Sequence, residues 1–240
     1  MRSVSVVIPT YNERENVRLL LPLVHEALHG HPHEILVVDD FSPDGTGAVV
    51  EETAWNIPEV RLLRKPVREG IGAALRYGYD RAACDVILSI DADLSFAPAD
   101  IPLLLAQIDN GYDLVLGSRH CRGGRYETPS LVVCFKYAVS TCGNAVVRAL
   151  CGLPVRDYSA NFRAIRAPIW RNIQTRENTN SLLLEMILKV AHSGGRIQEV
   201  PVSFVDRRHG RSKLNLWAEV PKFLVKFLQY SFRLRILGRP

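Results

Sequence analysis

The sequence predicts an α/β protein built on a doubly wound, mostly parallel sheet. Short apolar runs rich in Val and Ile, typical of strands buried on both faces, recur through about the first 120 residues. Amphipathic helical patterns separate these runs, and regular alternation of strand and helix is the pattern of a parallel α/β sheet. Several runs end directly in polar residues, and such sheets bind ligands at the carboxyl ends of their strands.

The first half of the chain supplies most of this alternation. The β-branched run 3–10 predicts a buried strand, and leucines and valines recurring along one side predict a helix over 12–28. A second strand, 34–40, ends in two aspartates, and the turn 42–46 supplies N-cap residues for a helix over 46–55. By the same criteria we predict strands at 60–64, 85–90 and 113–117, with helices at 71–83 and 99–109.

The regular alternation of strands and helices does not continue into the second half of the chain. We predict a helix over 130–151, an extended stretch near 158–165, a helix over 181–193 and a strand over 197–205. A basic segment then precedes an amphipathic stretch. The predicted organisation is therefore one domain over 1–213 followed by a C-terminal amphipathic helix over 214–240.

Composition narrows the class of protein. Of the 240 residues, 47% are apolar and 23% charged, which suits a globular chain. The five cysteines form no Cys-x-x-Cys pair, which favours a reduced, cytoplasmic protein. No 18 apolar residues run together, so no transmembrane helix is predicted. Segment 206–240 holds nine Lys/Arg and two acidic residues. No Phe, Tyr or Trp is interleaved in its basic run 207–213, so this run does not indicate a nucleic-acid partner.

The strand predicted over 85–90 runs directly into Asp91-Ala92-Asp93. On an extended chain, residues two apart share a face and lie about 7 Å from one another. Two carboxylates so placed can hold one hard cation, which would neutralise charge on a departing diphosphate. A solvated turn is the alternative, because Asp is common in turns. The position at a strand's carboxyl end favours the metal site.

Competing interpretations of these motifs fit less well. An EF-hand loop beginning at Asp91 would need Gly and Glu where the chain has Phe96 and Pro102. A dinucleotide-binding Gly-x-Gly-x-x-Gly beginning at Gly70 has Leu75 in place of its third glycine, so these glycines instead predict a helix start packed closely near a ligand. The acidic motif also resembles the nucleophile of haloacid-dehalogenase-type phosphotransferases. That motif lies on their first strand, whereas here it follows the fourth.

Two further clusters are candidates for ligand contacts. Asp39 and Asp40 end the second strand, where carboxylates can accept hydrogen bonds from a base or ribose, while Asp44 also fits a helix cap. The basic segment 207–213 places four Lys/Arg around Gly210, which suits a loop that clamps phosphates or a solvated basic loop.

An ordered set of segments spans about residues 4–215. They are PTYNEREN at 9–16, VVDD at 37–40, SPDGT at 42–46, DADLS at 91–95, GSR at 117–119, and FVDR at 204–207 with Gly210 and Ser212-Lys213. Together they resemble the polyprenyl-phosphate (dolichyl-phosphate) mannose synthases of glycosyltransferase family 2. The resemblance implies a GT-A fold, Mg²⁺ or Mn²⁺ as cofactor, GDP-mannose as donor and an inverted product.

The resemblance also implies site residues, position by position. The donor nucleotide sugar would be bound by Pro9, Tyr11, Glu13, Val38, Asp40, Ala92, Arg207 and Lys213. The metal and diphosphate would be held by Asp91, Asp93 and Ser95. The acceptor phosphate would be bound by Arg119, Lys136 and Ser140. Asp91, Asp93 and Arg119 would thus be the catalytic residues.

A polyprenyl acceptor gains about 0.8 kcal/mol per buried methylene and stays in the bilayer, so we expect a peripheral protein on the cytoplasmic face of a membrane. The tail 214–240 suits a membrane surface, and packing on the core or on a membrane partner subunit stays open. Three functional alternatives also stay open: another donor sugar such as glucose, a soluble acceptor, or a non-catalytic binding subunit.

Overall fold

The computed structural model describes residues 1–126 and 131–205, and omits the side chains of 131–136, 139 and 150. The strands are β1 (Val4–Thr10), β2 (His33–Asp39), β3 (Val60–Arg64), β4 (Val86–Ser89), β5 (Leu114–Ser118), β6 (Arg125–Tyr126), β7 (Arg163–Arg166), β8 (Ile197–Pro201) and β9 (Ser203–Phe204). The helices are α1 (Arg14–Ala27), α2 (Thr46–Ala54), α3 (Ile71–Tyr79), α4 (Ile101–Asp109), α5 (Leu131–Cys151), α6 (Ala167–Asn172) and α7 (Ser181–His192), with a 3₁₀ turn at Pro98–Asp100.

Within the described residues, seven strands form the main sheet in the order β3-β2-β1-β4-β7-β5-β8. β1 pairs in parallel with β2 and β4, β2 with β3, and β5 with β8. β7 is antiparallel to both of its neighbours, β4 and β5, so β5 runs again in the direction of β4. The predicted mostly parallel sheet is confirmed, and the carboxyl ends of β1, β2, β4 and β5 lie at one edge.

The sheet is covered on both faces, and its central strands carry apolar residues on both sides. In β1, Val6 and Ile8 belong to a core with residues of α1, α2 and α4, whereas Val7 belongs to a second core with residues of α3 and α7. In β2, Val37 and Val38 divide between the two cores in the same way. This alternation follows from the two-residue period of a strand, and it confirms the doubly wound arrangement.

Several boundaries differ from the predictions. α5 agrees closely with the predicted 130–151, but α3 ends at Tyr79 and not near residue 83. The extended stretch near 158–165 contains the antiparallel strand β7, and α6, β6 and β9 were not predicted as separate elements. No helix in the described parts of the chain has the length and apolar character needed to cross a membrane. The predicted helix 214–240 lies outside the described residues.

Gly70 and Gly72 open α3, as predicted, and the close neighbour is the backbone of 177–179. The N–H of Gly72 donates to the carbonyl of Asn178 at 2.9 Å, and a Cβ on Gly72 would lie 2.7 Å from the carbonyl carbon of Asn178. A real Cβ cannot approach backbone that closely, so the two segments would have to separate.

We expect Gly72→Ala to lower the free energy of unfolding by about 1–3 kcal/mol, because overpacking here meets rigid backbone. The matched control is Gly143→Ala in α5, where nothing lies within 4 Å of the added Cβ and the change should be neutral or stabilising by up to about 1 kcal/mol. Urea unfolding of both variants measures the difference. Equal stability of the two would contradict the packing argument.

Candidate functional site

The structure brings the sequence-predicted residues of four strands to one edge of the sheet. Tyr11 and Glu13 follow β1, Asp40 follows β2, the acidic turn 91–93 follows β4, and Arg119 follows β5. Because these strands run in the same direction, their terminal side chains share a single cleft edge, as parallel α/β sheets require.

The turns at this edge have unusual backbone. Within 1–126 and 131–205, the non-glycine residues with positive φ are Asn12 at 55°, Phe41 at 65° and Leu94 at 61°. They follow β1, β2 and β4 respectively. Left-handed backbone costs a non-glycine residue about 1–2 kcal/mol. Such strain persists only where surrounding contacts impose it, and it concentrates at functional sites.

Asp91 and Asp93 lie in a turn and not on extended chain. β4 ends at Ser89, and the left-handed residue Leu94 turns the chain, so the extended-chain argument for their spacing was wrong. The N–H and hydroxyl of Ser95 donate to Asp93 Oδ1 at 3.1 and 2.5 Å. Ser95 is only 2% exposed, and its observed role is to hold Asp93. Direct metal ligation by Ser95 stays a prediction.

The predicted nucleotide side of the cleft lies at the ends of β1 and β2. The guanidinium carbon of Arg68 lies 3.7 Å from the ring centre of Tyr11. An aromatic ring and a guanidinium both offer flat faces on which a base can stack. Asn16 Nδ2 donates to Glu13 Oε2 at 2.6 Å, which orients this carboxylate at the start of α1. The other predicted donor residues here are buried: Pro9, Val38 and Ala92.

Asp40 has an observed structural role. Its carboxylate forms a 2.8 Å ion pair with Lys65 and accepts the N–H groups of Glu69 and Gly70 at 3.3 and 3.1 Å. The Asp40 and Lys65 side chains are 6% and 3% exposed. Asp40 therefore fixes the loop between β3 and α3, including the Arg68 that covers Tyr11. Direct contact of Asp40 with a nucleotide stays a prediction.

Arg119 is held by a buried carboxylate, Asp157. Its Nε and Nη2 donate to the two oxygens of Asp157 at 2.8 and 2.9 Å, and Nη2 also donates to Ser159. Nη1 donates to the Tyr126 hydroxyl at 3.2 Å. Burial disfavours the charged form of both Arg119 and Asp157, but the attraction between the two opposite charges outweighs this effect. The Asp157 carboxylate raises the pKa of Arg119 above its usual value, and Arg119 holds the pKa of Asp157 well below its usual range.

These bonds limit what Arg119 can do for an acceptor phosphate. The Arg119 side chain is 10% exposed, and Asp157, Ser159 and Tyr126 receive most of its N–H groups. Its guanidinium also lies 5.2 Å from the ring centre of Phe204. Arg119 thus links the end of β5 to the segment before β7. Its direct contact with acceptor phosphate stays a prediction.

The predicted acceptor residue Ser140 lies on α5 next to His120. His120 Nε2 is 3.1 Å from Ser140 Oγ, and the imidazole stacks on Tyr137 with ring centres 5.0 Å apart. Burial, helped by the Arg119 charge, lowers the pKa of His120, although Asp157 opposes this shift.

A cavity of about 740 Å³ adjoins His120 between α5 and the segment 152–156. Arg148 and Arg156 contribute positive charge to its wall, and Ala145 and Leu153 contribute apolar surface. Three predicted residues cannot be placed relative to it: the Lys136 side chain, Arg207 and Lys213 lie outside the described parts of the chain.

Sequence reasoning missed four residues of this region: Lys65, His120, Asp157 and Asn161. Lone polar residues in loops carry no spacing pattern, and their partners are distant in sequence. Asn161, for example, donates from Nδ2 to Asp91 Oδ1 at 2.9 Å across 70 positions. His120 follows directly on Gly117-Ser118-Arg119, and this adjacency was the one signal that could have pointed to it.

The acidic turn suits a hard divalent cation. Mg²⁺ and Mn²⁺ prefer oxygen ligands, and Mg²⁺ is commonly held by one or two carboxylates together with substrate phosphates. Across 1–126 and 131–205, no group of three or more His, Cys, Asp or Glu side chains could hold a metal. The two carboxylates of this turn match the number that commonly holds Mg²⁺ beside substrate phosphates.

Comparison with known proteins identifies the family. The model of glycosyl transferase family 2 matches residues 5–174. A polyprenol monophosphomannose synthase of Mycolicibacterium smegmatis is 34% identical over 96% of this chain and 88% of its own length. An undecaprenyl-phosphate mannosyltransferase of Micrococcus luteus is 36% identical over 88% of this chain and 87% of its own length. A dolichol-phosphate mannosyltransferase of Pyrococcus furiosus is 34% identical over 96% of this chain, which spans 63% of that protein.

Solved structures with the same fold include a sugar-nucleotide enzyme. Glucosyl-3-phosphoglycerate synthase of Mycobacterium tuberculosis, in complex with Mn²⁺, UDP and phosphoglyceric acid, superposes with a TM-score of 0.75 at 18% identity. The match covers 96% of this chain and 78% of that one. A complex of the same enzyme with Mg²⁺ and UDP has a TM-score of 0.72. At this identity the similarity establishes the fold alone.

We expect Asp157→Asn to lower the free energy of unfolding by about 3–5 kcal/mol at neutral pH, because it leaves the Arg119 charge buried without its carboxylate. The matched control is Asp109→Asn, whose ion pair with Arg2 is exposed and worth at most about 1 kcal/mol. Urea unfolding of both variants beside wild type gives the values.

The same ion pair predicts a pH dependence. The pKa of Asp157 is lower in the folded protein than in the unfolded chain. Its stabilisation is therefore fully present above about pH 5, and it is lost as the pH falls below the unfolded value of about 3.9 towards the folded one. The stability gap between wild type and Asp157→Asn should narrow on acidification. A constant gap down to about pH 2.5 would contradict the ion-pair assignment.

Proposed function

The chain belongs to glycosyl transferase family 2 and has the GT-A fold, and we propose that it transfers mannose from GDP-mannose to a polyprenyl phosphate with inversion at the anomeric carbon. The mannosyltransferase relatives of M. smegmatis and M. luteus, aligned over most of both chains, support this activity. The family assignment removes the phosphotransferase alternative, which required the acidic motif on the first strand of another fold.

The single observation that carries the proposal is the acidic turn at the carboxyl end of β4. Asp91 and Asp93 lie there half-buried, at the same edge as the predicted nucleotide side of the cleft. We propose that both carboxylates hold Mg²⁺ or Mn²⁺. When bound, this cation would neutralise the negative charge that develops on the departing diphosphate.

The donor nucleotide is proposed to lie across the ends of β1 and β2. Tyr11, with Arg68 stacked on it, offers a flat surface for the base. Pro9 and Val38, register partners on adjacent strands, are proposed to lie beneath the nucleotide. Glu13 can accept hydrogen bonds from base or ribose. Arg207 and Lys213, outside the described residues, are proposed to close over the donor phosphates.

The acceptor is proposed to enter from the side of β5 and α5. Its phosphate is ionised at neutral pH, so attack on the anomeric carbon needs no strong general base, and the protein's task is to orient the oxygen. Arg119, Lys136 and Ser140 are the proposed contacts. His120 supports this placement, because its Nε2 lies 3.1 Å from Ser140 Oγ and can hold the serine hydroxyl in position.

We expect Asp91→Ala and Asp93→Ala each to lower turnover about 10²–10³-fold, since each removes a group that stabilises developing negative charge. The assay follows transfer of labelled mannose from GDP-mannose to a short polyprenyl phosphate, with and without Mn²⁺. Asp109→Ala, at the exposed end of α4, should keep normal activity. Near-normal activity of both acidic-turn variants would show that the metal assignment is wrong.

The same assay separates the remaining alternatives. Preference for UDP-glucose would replace mannose by glucose, and transfer to a soluble phosphate would replace the lipid acceptor. Turnover by the purified chain alone would exclude a purely non-catalytic binding subunit.

The segment 214–240 is proposed to be a basic amphipathic helix, separate from the domain 1–213, that binds the membrane surface of the cytoplasmic face. Its lysines and arginines can each gain about 1 kcal/mol near anionic headgroups. We therefore expect the full chain to float with vesicles containing anionic lipid, and a truncation after Lys213 to float less. Equal flotation would leave packing on the core or on a membrane partner subunit as the role of this segment.

A further inference from the structure

We propose that Asn161 is a positioning residue that holds the Asp91 carboxylate in the orientation in which it receives the divalent cation. This inference rests on the proposed function, because it assigns a role relative to the cation at the acidic turn. It adds a buried hydrogen-bond relay that begins in the core, at Tyr79 of α3, and ends at Asp91.

The relay consists of three consecutive hydrogen bonds. The Tyr79 hydroxyl donates to Ser89 Oγ at 2.8 Å, and the Ser89 hydroxyl donates to Asn161 Oδ1 at 2.8 Å. Asn161 Nδ2 then donates to Asp91 Oδ1 at 2.9 Å. The four residues come from α3, the last position of β4, the segment before β7, and the turn after β4.

The direction of the relay follows from what each group can donate. Tyr79 has one proton, and it is retained because burial raises the pKa of Tyr79 to about 12, despite opposing effects of Ser89 and Arg163. Ser89 Oγ accepts the hydrogen bond from this hydroxyl, so the hydrogen of Ser89 is available to donate to Asn161 Oδ1. With the oxygen of the amide so engaged, its NH₂ group faces Asp91. The opposite amide orientation would place Asn161 Oδ1 against the Asp91 carboxylate, two acceptors with no hydrogen between them, and would turn the NH₂ group towards Ser89.

Burial and backbone contacts make this arrangement rigid. Tyr79, Ser89 and Asn161 are at most 2% exposed. The fully buried Arg163 donates from Nε and Nη2 to the carbonyl of Ala160, and from Nη1 to the carbonyl of Leu183 at 2.8 Å. The backbone next to Asn161 is thereby tied to α7, so the amide has little freedom to follow a displaced carboxylate.

A fixed donor on Asp91 favours metal binding because it reduces the orientational freedom that Asp91 loses when the cation binds. Hydrogen-bond partners of metal ligands typically change metal affinity about 10–100-fold when removed.

The test is Mn²⁺ affinity, measured from the electron paramagnetic resonance signal of the free ion with GDP present and a protein-free GDP blank. We expect Asn161→Ala to weaken Mn²⁺ binding about 10-fold. Ser89→Ala, which frees the amide to turn over, should weaken it about 3–10-fold, and Tyr79→Phe, which removes only a hydroxyl, about 2-fold. This graded order along the relay is the signature of positioning, because a general loss of stability would not follow it.

Two matched controls separate positioning from destabilisation. Ser5→Ala removes a buried hydroxyl of the neighbouring strand β1 that donates to Glu34, outside the acidic turn. Asn110→Ala removes an exposed amide at the end of α4. Both should bind Mn²⁺ as wild type does. Thermal melting of every variant identifies any that fail to fold. If Asn161→Ala fails to fold, the Mn²⁺ affinities of Tyr79→Phe and Ser89→Ala test the positioning role.

The outcomes distinguish this inference from the proposed function. If Asp91→Ala abolishes Mn²⁺ binding while folded Asn161→Ala and Ser89→Ala bind as wild type does, the positioning role is wrong and the metal assignment stands. If wild type binds no Mn²⁺ in the presence of GDP, both are wrong. Graded weakening with unchanged controls supports both.

Discussion

The segment between α5 and β7 holds the two sides of the candidate site in place through two buried contacts. Asp157 forms the ion pair with Arg119 at the end of β5, and four residues later Asn161 donates to Asp91 at the end of β4. β7 then runs antiparallel between those two strands. A single short stretch of chain therefore fixes the separation between the proposed metal side and the proposed acceptor side.

This arrangement explains why costly features collect at one edge of the sheet. In a buried ion pair, the attraction between the charges is largely offset by the cost of removing both from water, so the pair adds little net stability. Left-handed backbone at Asn12, Phe41 and Leu94 is also unfavourable. The apolar cores on the two faces of the sheet supply the stability that these features lack. What the edge gains is fixed placement of polar groups, the main requirement for a reaction that depends on orientation and charge.

The sequence predicted the features that local patterns encode. The order of strands and helices, the shared edge of β1, β2, β4 and β5, and the family followed from apolar runs and ordered motifs. The turn at Asp91 and Asp93 was found, but its geometry was not, because β4 ends two residues before Asp91. Asp157 and Asn161 were missed since each acts through a partner far away in sequence, and antiparallel insertion of β7 is a tertiary choice that no local pattern records. Ser95, Asp40 and Arg119 show how a motif residue can hold the site's own groups.

The most direct test of this account is the position of the cation. Crystals grown with Mn²⁺ and GDP would give an anomalous peak at the manganese absorption edge. The account predicts that peak within coordination distance of the carboxylates of Asp91 and Asp93, between them and the diphosphate. A bound nucleotide whose manganese lies elsewhere, with both aspartates turned away from it, would contradict the account.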